Sequence, residues 1–217
     1  MPCKNKAFSP TTTFRIDARE ARESADRYGE IVATFHSHPH TGSRPSSADI
    51  KASEISRLAS FIYSINQKTI SCYRPKSLRC RPLIGRLHFW GIQDCLTLVT
   101  DYYERVGIDI GLPFSLPVPM SWDDVCSMMA REVAAHGFAR LSGSETPQVG
   151  DLALIAGEQF PEPHYAVCVE PGIILHQARK GRSCRDRWEG IWAKCTRAVY
   201  RPPSDHSHKF QGGVRFD

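Results

Sequence analysis

The sequence has no apolar run long enough to cross a bilayer, which excludes a helical membrane span. Its start, Met1-Pro2-Cys3-Lys4-Asn5-Lys6, lacks the apolar centre of a secretion signal, so the chain is expected to remain, at first, in the cytoplasm that makes it. None of the eight cysteines (Cys3, Cys72, Cys80, Cys95, Cys126, Cys168, Cys184 and Cys195) stands in a Cys-x-x-Cys pair. That argues against a zinc ribbon or a thioredoxin-like motif, and without a secretion signal reduced thiols are expected. There are no internal repeats and no low-complexity tracts, so neither a solenoid nor a disordered spacer is indicated.

What remains has the balance of a globular chain: 217 residues, 41% hydrophobic and 24% charged, enough for one full domain and a smaller one. The net charge of +5 is uneven. Residues 1–82 carry 14 Lys+Arg against 7 Asp+Glu, and the remainder 14 against 16. No nucleic-acid module or aromatic platform accompanies the basic half, so it reads as a solvated surface rather than a nucleic-acid partner site.

Residues 18–27 are polar with helical character, closed by Tyr28-Gly29, and residues 30–35 are β-branched and read as a strand running into His36-Ser37-His38-Pro39. A turn-rich loop precedes a helix from Ser46 to about Leu58. Residues 61–65 and 69–73 read as a hairpin around Asn66-Gln67-Lys68. Arg74 to Pro82 has two prolines and no periodicity, which places a linker at 76–82 between a domain at 1–75 and another at 83–217. In the second part a helix begins at Cys95, a Pro-rich connection spans 112–120, and a second helix starts at Ser121 with Asp124 completing a capping box. Strands follow at 151–155, 165–169, 173–177 and 196–200. Helices followed by consecutive strands imply an α+β fold with an antiparallel sheet. The Asp205-His206-Ser207-His208 tail, despite its metal-like spacing, reads as a disordered extension.

Two constellations carry chemistry. His36 and His38 lie two apart on a strand and project from one face, and Asp49 can close a third position. Two histidines, a carboxylate and an open water position describe a catalytic zinc site, although Ser46-x-x-Asp49 is also a capping box that needs no metal. In the second constellation, Cys95 opens a helix behind the N-cap Asp94, where unpaired amides and the helix dipole favour thiolate. A buried cysteine that merely begins a core helix fits the same string. His164 and His176 are equidistant from position 170, inside a turn, so an antiparallel hairpin sets them opposite each other within about one residue of register. His164 would then face the thiol and His176 would fix the tautomer of His164.

His36-x-His38-Pro39, seven residues counted from Pro39 to Pro45, then Ser46-x-x-Asp49 resembles the JAMM (MPN-type) zinc metallopeptidase motif. The resemblance implies zinc ligands at His36, His38 and Asp49, with Ser46 supporting the oxyanion or the bound water. The family's general-base glutamate, on a strand well upstream, has no counterpart: Glu20, Glu23 and Glu30 match no motif, and the segment reads as shortened at its start. Phe89-Trp90-Gly91-x-x-Asp94-Cys95-x-x-Leu98-Val99, Val149-Gly150-Asp151-Leu152, Pro163-His164-Tyr165-Ala166-Val167 and Ile174-Leu175-His176 resemble the NlpC-type cell-wall cysteine peptidases. That resemblance implies a papain-like domain over 83–217, with Cys95, His164 and His176 catalytic and no cofactor. A JAMM-type segment followed by an NlpC-type domain resembles the lambda-type phage tail assembly proteins, a group that Ser183-Cys184-Arg185-Asp186-Arg187-Trp188 also resembles. The combined resemblance implies a tail-assembly protein with other tail proteins as partners and peptidoglycan stem peptides as substrate. The bond would be of the D-γ-glutamyl-diaminopimelate type, met at the cell wall when a tail carries the protein there. A non-enzymatic assembly factor with relic sites, or a zinc-dependent isopeptidase, are the competing expectations.

Overall fold

The strands sort into two sheets, one in each of the two units into which the chain divides. The computed structural model describes residues 3–110, 116–143, 145–179, 181–210 and 214–217. One unit takes residues 1–79 and 114–119, the other 80–113 and 120–217, and the fold class is α+β.

In the first unit, α1 (Ala18–Tyr28) starts where the Asp17 side chain accepts from the Arg19 amide. It ends at Gly29, whose φ of 96° lies in the region that only glycine enters freely. Strand β1 (Ala33–His38) begins three residues later than the sequence suggests and takes both histidines into the strand. Helix α2 (Ser47–Ser56) leads to the hairpin of β2 (Ala59–Ser64) and β3 (Thr69–Tyr73), closed by the Ser64↔Thr69 pair. β1 lies parallel to β2, from Ala33↔Ala59 to His38↔Ser64. The segment expected as a linker opens with a short helix, α3 (Lys76–Arg79), whose Leu78 is buried. The expected Pro-rich connection also does local work. Its part β4 (Leu116–Pro117) joins the outer edge of β3, with Ile70↔Leu116 and Thr69↔Pro117 in register, while residues 111–115 lie outside the described chain.

In the second unit, Asp94 caps α4 (Cys95–Arg105). Its carboxylate accepts from the Thr97 amide, and the Thr97 hydroxyl accepts from the Asp94 amide. Leu98, Val99, Tyr102 and Tyr103 form the buried stripe of α4. Helix α5 (Trp122–Ala135), capped by Ser121 and Asp124, buries Met129 and Val133. The His136 ring bonds the Glu132 carbonyl at its end. The strands are β5 (Ala139–Arg140), β6 (Leu152–Gly157), β7 (Phe160–Glu170), β8 (Ile173–His176), β9 (Cys184–Arg187) and β10 (Thr196–Arg201), with α6 (Gly190–Lys194) before the last. They form one antiparallel sheet in the order β5-β10-β6-β7-β8-β9. The stripes of α4 and α5 pack on the face that carries Leu152, Leu154, Tyr165, Val167 and Leu175. The opposite face holds a smaller cluster of Ala153, Ile155, Ala166 and Ile174 beneath Trp188 and Trp192.

The tail departs from expectation. Residues 204–210 form a 3-10 helix, and the Phe210 ring packs against Tyr102 and Tyr103. Gly150 makes room for it: a Cβ there would come within 2.6 Å of the ring, and its φ of 94° already disfavours any side chain. Burial of an aromatic ring orders a segment whose polar composition alone suggests disorder.

A buried ion pair ties α4 to the segment before it. Arg86 Nη1 lies 2.6 Å from Asp101 Oδ2, with side-chain exposures of 2% and 0%. Asp101→Ala strands the guanidinium and should lower stability by about 3–5 kcal/mol in guanidinium unfolding, whereas Arg86→Met with Asp101→Leu should recover much of the loss.

Candidate catalytic and metal-binding sites

In the first unit, strand alternation sets His36 and His38 on one face of β1, and the capping box of α2 brings Asp49 to them. The Ser46 amide and hydroxyl both donate to Asp49 Oδ2, at 2.8 and 2.6 Å, and the Asp49 amide donates back to Ser46 Oγ. The capping box and the ligand set are therefore one structure: the cap aims the carboxylate. His36 Nε2 stands 3.1 Å from Asp49 Oδ1, His38 Nε2 3.3 Å from Asp49 Oδ2, and the two Nε2 atoms 3.3 Å apart.

The donor chemistry suits a cation. His38 Nδ1 lies 2.8 Å from the Gly42 carbonyl, which can only accept, so Nδ1 carries the proton and Nε2 of the neutral ring presents a lone pair. That lone pair faces a carboxylate oxygen and a second imidazole nitrogen, and such a cluster calls for a positive charge at its centre. Zinc held at its usual bond lengths sets tetrahedral nitrogen and oxygen neighbours about 3.3–3.5 Å apart, close to the spacings present. Phe14 stacks on His36 at 4.8 Å, and His36 Nδ1 is buried without a hydrogen-bond partner among the described residues. Burial pulls the His36 pKa down despite the Asp49 charge. Burial pushes Asp49 up, but the Ser46 hydrogen bonds and the two histidines together hold it below the usual carboxylate range.

In the second unit, β7 and β8 meet with Ala166 opposite His176, a register two residues away from the symmetric pairing expected. The turn centres on Pro171-Gly172, which displaces the pairing by three residues, and a bulge between Cys168 and Glu170 takes back one of them. A two-residue shift preserves the face, so His164 and His176 become diagonal neighbours, and His164 Nε2 lies 3.2 Å from His176 Nδ1. The row continues to a residue that sequence reasoning left without a role. His176 Nε2 lies 3.1 Å from Asp186 Oδ2, on β9. Trp192 covers both rings, 4.3 Å from His176 and 5.6 Å from His164 between centroids. A carboxylate two residues beyond the cross-strand partner of His176 was the available signal, but it required knowing that β9 exists.

The carboxylate sets tautomers along the row. With His176 Nε2–H donating to Asp186, Nδ1 accepts from His164 Nε2–H, and His164 Nδ1 keeps its lone pair to take a proton. Burial, then the neighbouring charges of His176 and His88, press the His164 pKa down to about 3, so this ring is neutral near neutral pH. His88, on the loop entering α4, is thus another neighbour that the sequence reading left unassigned.

Cys95 opens α4, and the Tyr165 amide, one residue along β7 from His164, donates to its sulfur. Among the described residues no hydrogen bond joins that sulfur to either ring, and catalytic contacts are often loose before substrate binds. The expectation that the helix start favours thiolate is corrected. Burial first, then the charge of Asp94, push the thiol up to about 12, although backbone amides pull the other way. The capping carboxylate offsets the helix-dipole effect at its own N-terminus.

Residues 2–79 match the family profile of prokaryotic homologs of the JAB domain, so the first unit carries a JAB-like domain. Over 192 residues the chain is 30% identical to the tail tip assembly protein K of Escherichia phage lambda, covering 87% of this chain and 90% of that one. Over 203 residues it is 26% identical to the protein of the same name from Escherichia phage N15, covering 92% and 81% respectively. The chain belongs to the tail tip assembly protein K family.

Two measurements follow. Asp49→Asn keeps an oxygen for the Ser46 amide and should change stability by no more than about 1 kcal/mol, yet, if this cluster holds zinc, the variant should retain about one equivalent less than the wild type by elemental analysis. Because the folded His164 pKa lies below its ordinary 6.5, the unfolded chain binds the extra proton between about 3 and 6.5. Thermal stability should be full above pH 6.5 and fall as the pH is lowered through that window, and His164→Gln should flatten the fall.

Proposed function

We propose that this chain serves in phage tail-tip assembly and that its second unit is a cysteine peptidase acting on peptidoglycan stem peptides. The assembly role is supported by the full-length likeness to the two tail tip assembly proteins. The peptidase reading is supported by one observation above the others: the row His164–His176–Asp186 begins one residue along β7 from Tyr165, whose amide donates to the Cys95 sulfur.

In this reading the resting site holds a neutral thiol and a neutral imidazole. His164 Nδ1 therefore accepts the Cys95 proton as sulfur attacks the amide carbonyl carbon, rather than beforehand. Amides at the start of α4 receive the developing oxyanion. His164 then protonates the leaving amine, and in the second half it takes a proton from the water that hydrolyses the thioester. The bond is of the D-γ-glutamyl-diaminopimelate type, and the protein meets it at the cell wall when an assembled tail carries it out of the host cytoplasm.

A second reading rests on the first unit. His36, His38 and Asp49 would hold zinc, with Ser46 fixing the carboxylate; zinc bound there supplies a polarised carbonyl and an acidified water.

Digestion of diaminopimelate-type peptidoglycan, read by mass spectrometry, tests both. Stem-peptide fragments from the wild type that vanish in Cys95→Ala (a loss of at least about a thousandfold) and survive chelation support the thiol peptidase. Fragments that survive Cys95→Ala and vanish on chelation assign cleavage to the first unit. No fragments from folded protein leave the assembly role alone.

A further inference from the structure

The row of rings ends in more than a carboxylate. Cys184 is the direct cross-strand partner of His176, and Asp186 follows two residues later on the same face of β9. Cys184 Sγ lies 3.5 Å from His176 Nε2, and Asp186 Oδ2 lies 3.1 Å from the same nitrogen. All three ligand atoms fall within 4.8 Å of one another. Zinc bound by thiolate at about 2.3 Å and by imidazole at about 2.0 Å places sulfur and nitrogen about 3.5 Å apart, the spacing that this pair already has. The site has an open side: the Asp186 side chain is 49% exposed while His176 is 2% exposed, so a cation can enter from solvent and keep a water as its fourth ligand.

We propose that His176, Cys184 and Asp186 form a second divalent-cation site of the zinc class, and that its occupancy switches the histidine row off. The inhibitory half of the proposal rests on the cysteine-peptidase reading above; the cation site does not. A neutral imidazole ligates through the nitrogen that carries no proton. With the cation on His176 Nε2, the ring's proton sits on Nδ1 and points at His164 Nε2. That nitrogen must then accept, so the proton of His164 moves to Nδ1, the position needed to receive the proton of Cys95. Each ring keeps one proton, and the single proton released to solvent comes from the Cys184 thiol. Without the cation, Asp186 accepts from His176 Nε2 and the row points the productive way. The same carboxylate thus supports the base in one state and holds the inhibitor in the other.

The donor set separates this site from the one in the first unit. His36, His38 and Asp49 offer nitrogen and oxygen only, whereas this site offers sulfur. Cobalt(II) added to the full chain should give a near-ultraviolet sulfur-to-cobalt charge-transfer band. The band should persist in His36→Ala with His38→Ala and in Cys95→Ala. It should vanish in Cys184→Ser and weaken in Asp186→Asn, with cation affinity lowered at least about tenfold. In parallel, zinc should inhibit stem-peptide release by the wild type reversibly, and Cys184→Ser, active without zinc, should need at least about ten times more. A band absent from the wild type or unchanged in Cys184→Ser overturns the site. A normal band with equal zinc inhibition of wild type and Cys184→Ser overturns the switch. If no sample releases fragments, the peptidase reading and the switch fall together, while the band still decides the cation site.

Discussion

Arg86 fastens the second unit. Its guanidinium is buried against Asp101 of α4, and its remaining donors reach the carbonyls of Pro82 and Arg81. Its backbone is engaged as fully. The amide donates to Ser183 Oγ, and the carbonyl accepts from the Ser183 amide and from Gln177 Nε2. One residue therefore joins the helix that carries Cys95 to the chain between β8 and β9, the strands that supply His176, Cys184 and Asp186. A charge desolvated this completely survives only with its hydrogen bonds saturated, and that requirement fixes several segments at once. A lysine could not replace it, because an ammonium lacks the planar fork needed to reach Asp101 and two carbonyls together.

The two candidate sites, one in each unit, are built from the same kinds of group. In each, a carboxylate faces an imidazole Nε2: Asp186 receives a hydrogen bond from His176, whereas the Gly42 carbonyl holds the His38 proton on Nδ1 and leaves a bare Nε2 toward Asp49. Asp49 is aimed by a helix cap, and Asp186 sits on an edge strand where solvent can reach it. The difference in burial matters chemically. The first cluster gathers lone pairs in a half-buried recess that suits a resident cation, whereas the second orients a pair of neutral rings at the margin of the sheet. The raised Cys95 pKa has a related cause: burial first, then the charge of Asp94, which caps α4, keep the thiol protonated until a base acts on it.

Much of this was legible in the sequence because it is written in local chemistry. The capping residues Ser46, Asp94 and Ser121 each mark a helix start, and the 66–68 turn marks a hairpin. His36-x-His38 and Asp49 could be read as one site because strand alternation and a capping box place them without long-range information. What escaped depends on partners distant in sequence. Cys184-Arg185-Asp186-Arg187 has no apolar alternation, and it becomes strand β9 only because β8 offers it an edge. Asp186 was therefore invisible as a partner of His176. The two-residue offset between β7 and β8 arises from a turn centred on Pro171-Gly172, less one residue taken back by a bulge; composition announces the turn but neither its centre nor the bulge. The ordered tail depends on a gap that Gly150 leaves for Phe210, sixty residues away.

The placement of β4 gives the chain a topology unlike beads on a string. The polypeptide leaves the first unit after Arg79, returns to lay Leu116-Pro117 along β3, and leaves again, with the Val118 amide closing on the Lys68 carbonyl. Neither unit is a continuous stretch of gene. A protease nick near residue 80 would not sever the first sheet from the rest, since β4 would still be hydrogen-bonded to β3. A recombination event at the same point would exchange one unit while robbing β3 of its outer neighbour and baring a sheet edge. Selection would therefore tend to pass the two units on together.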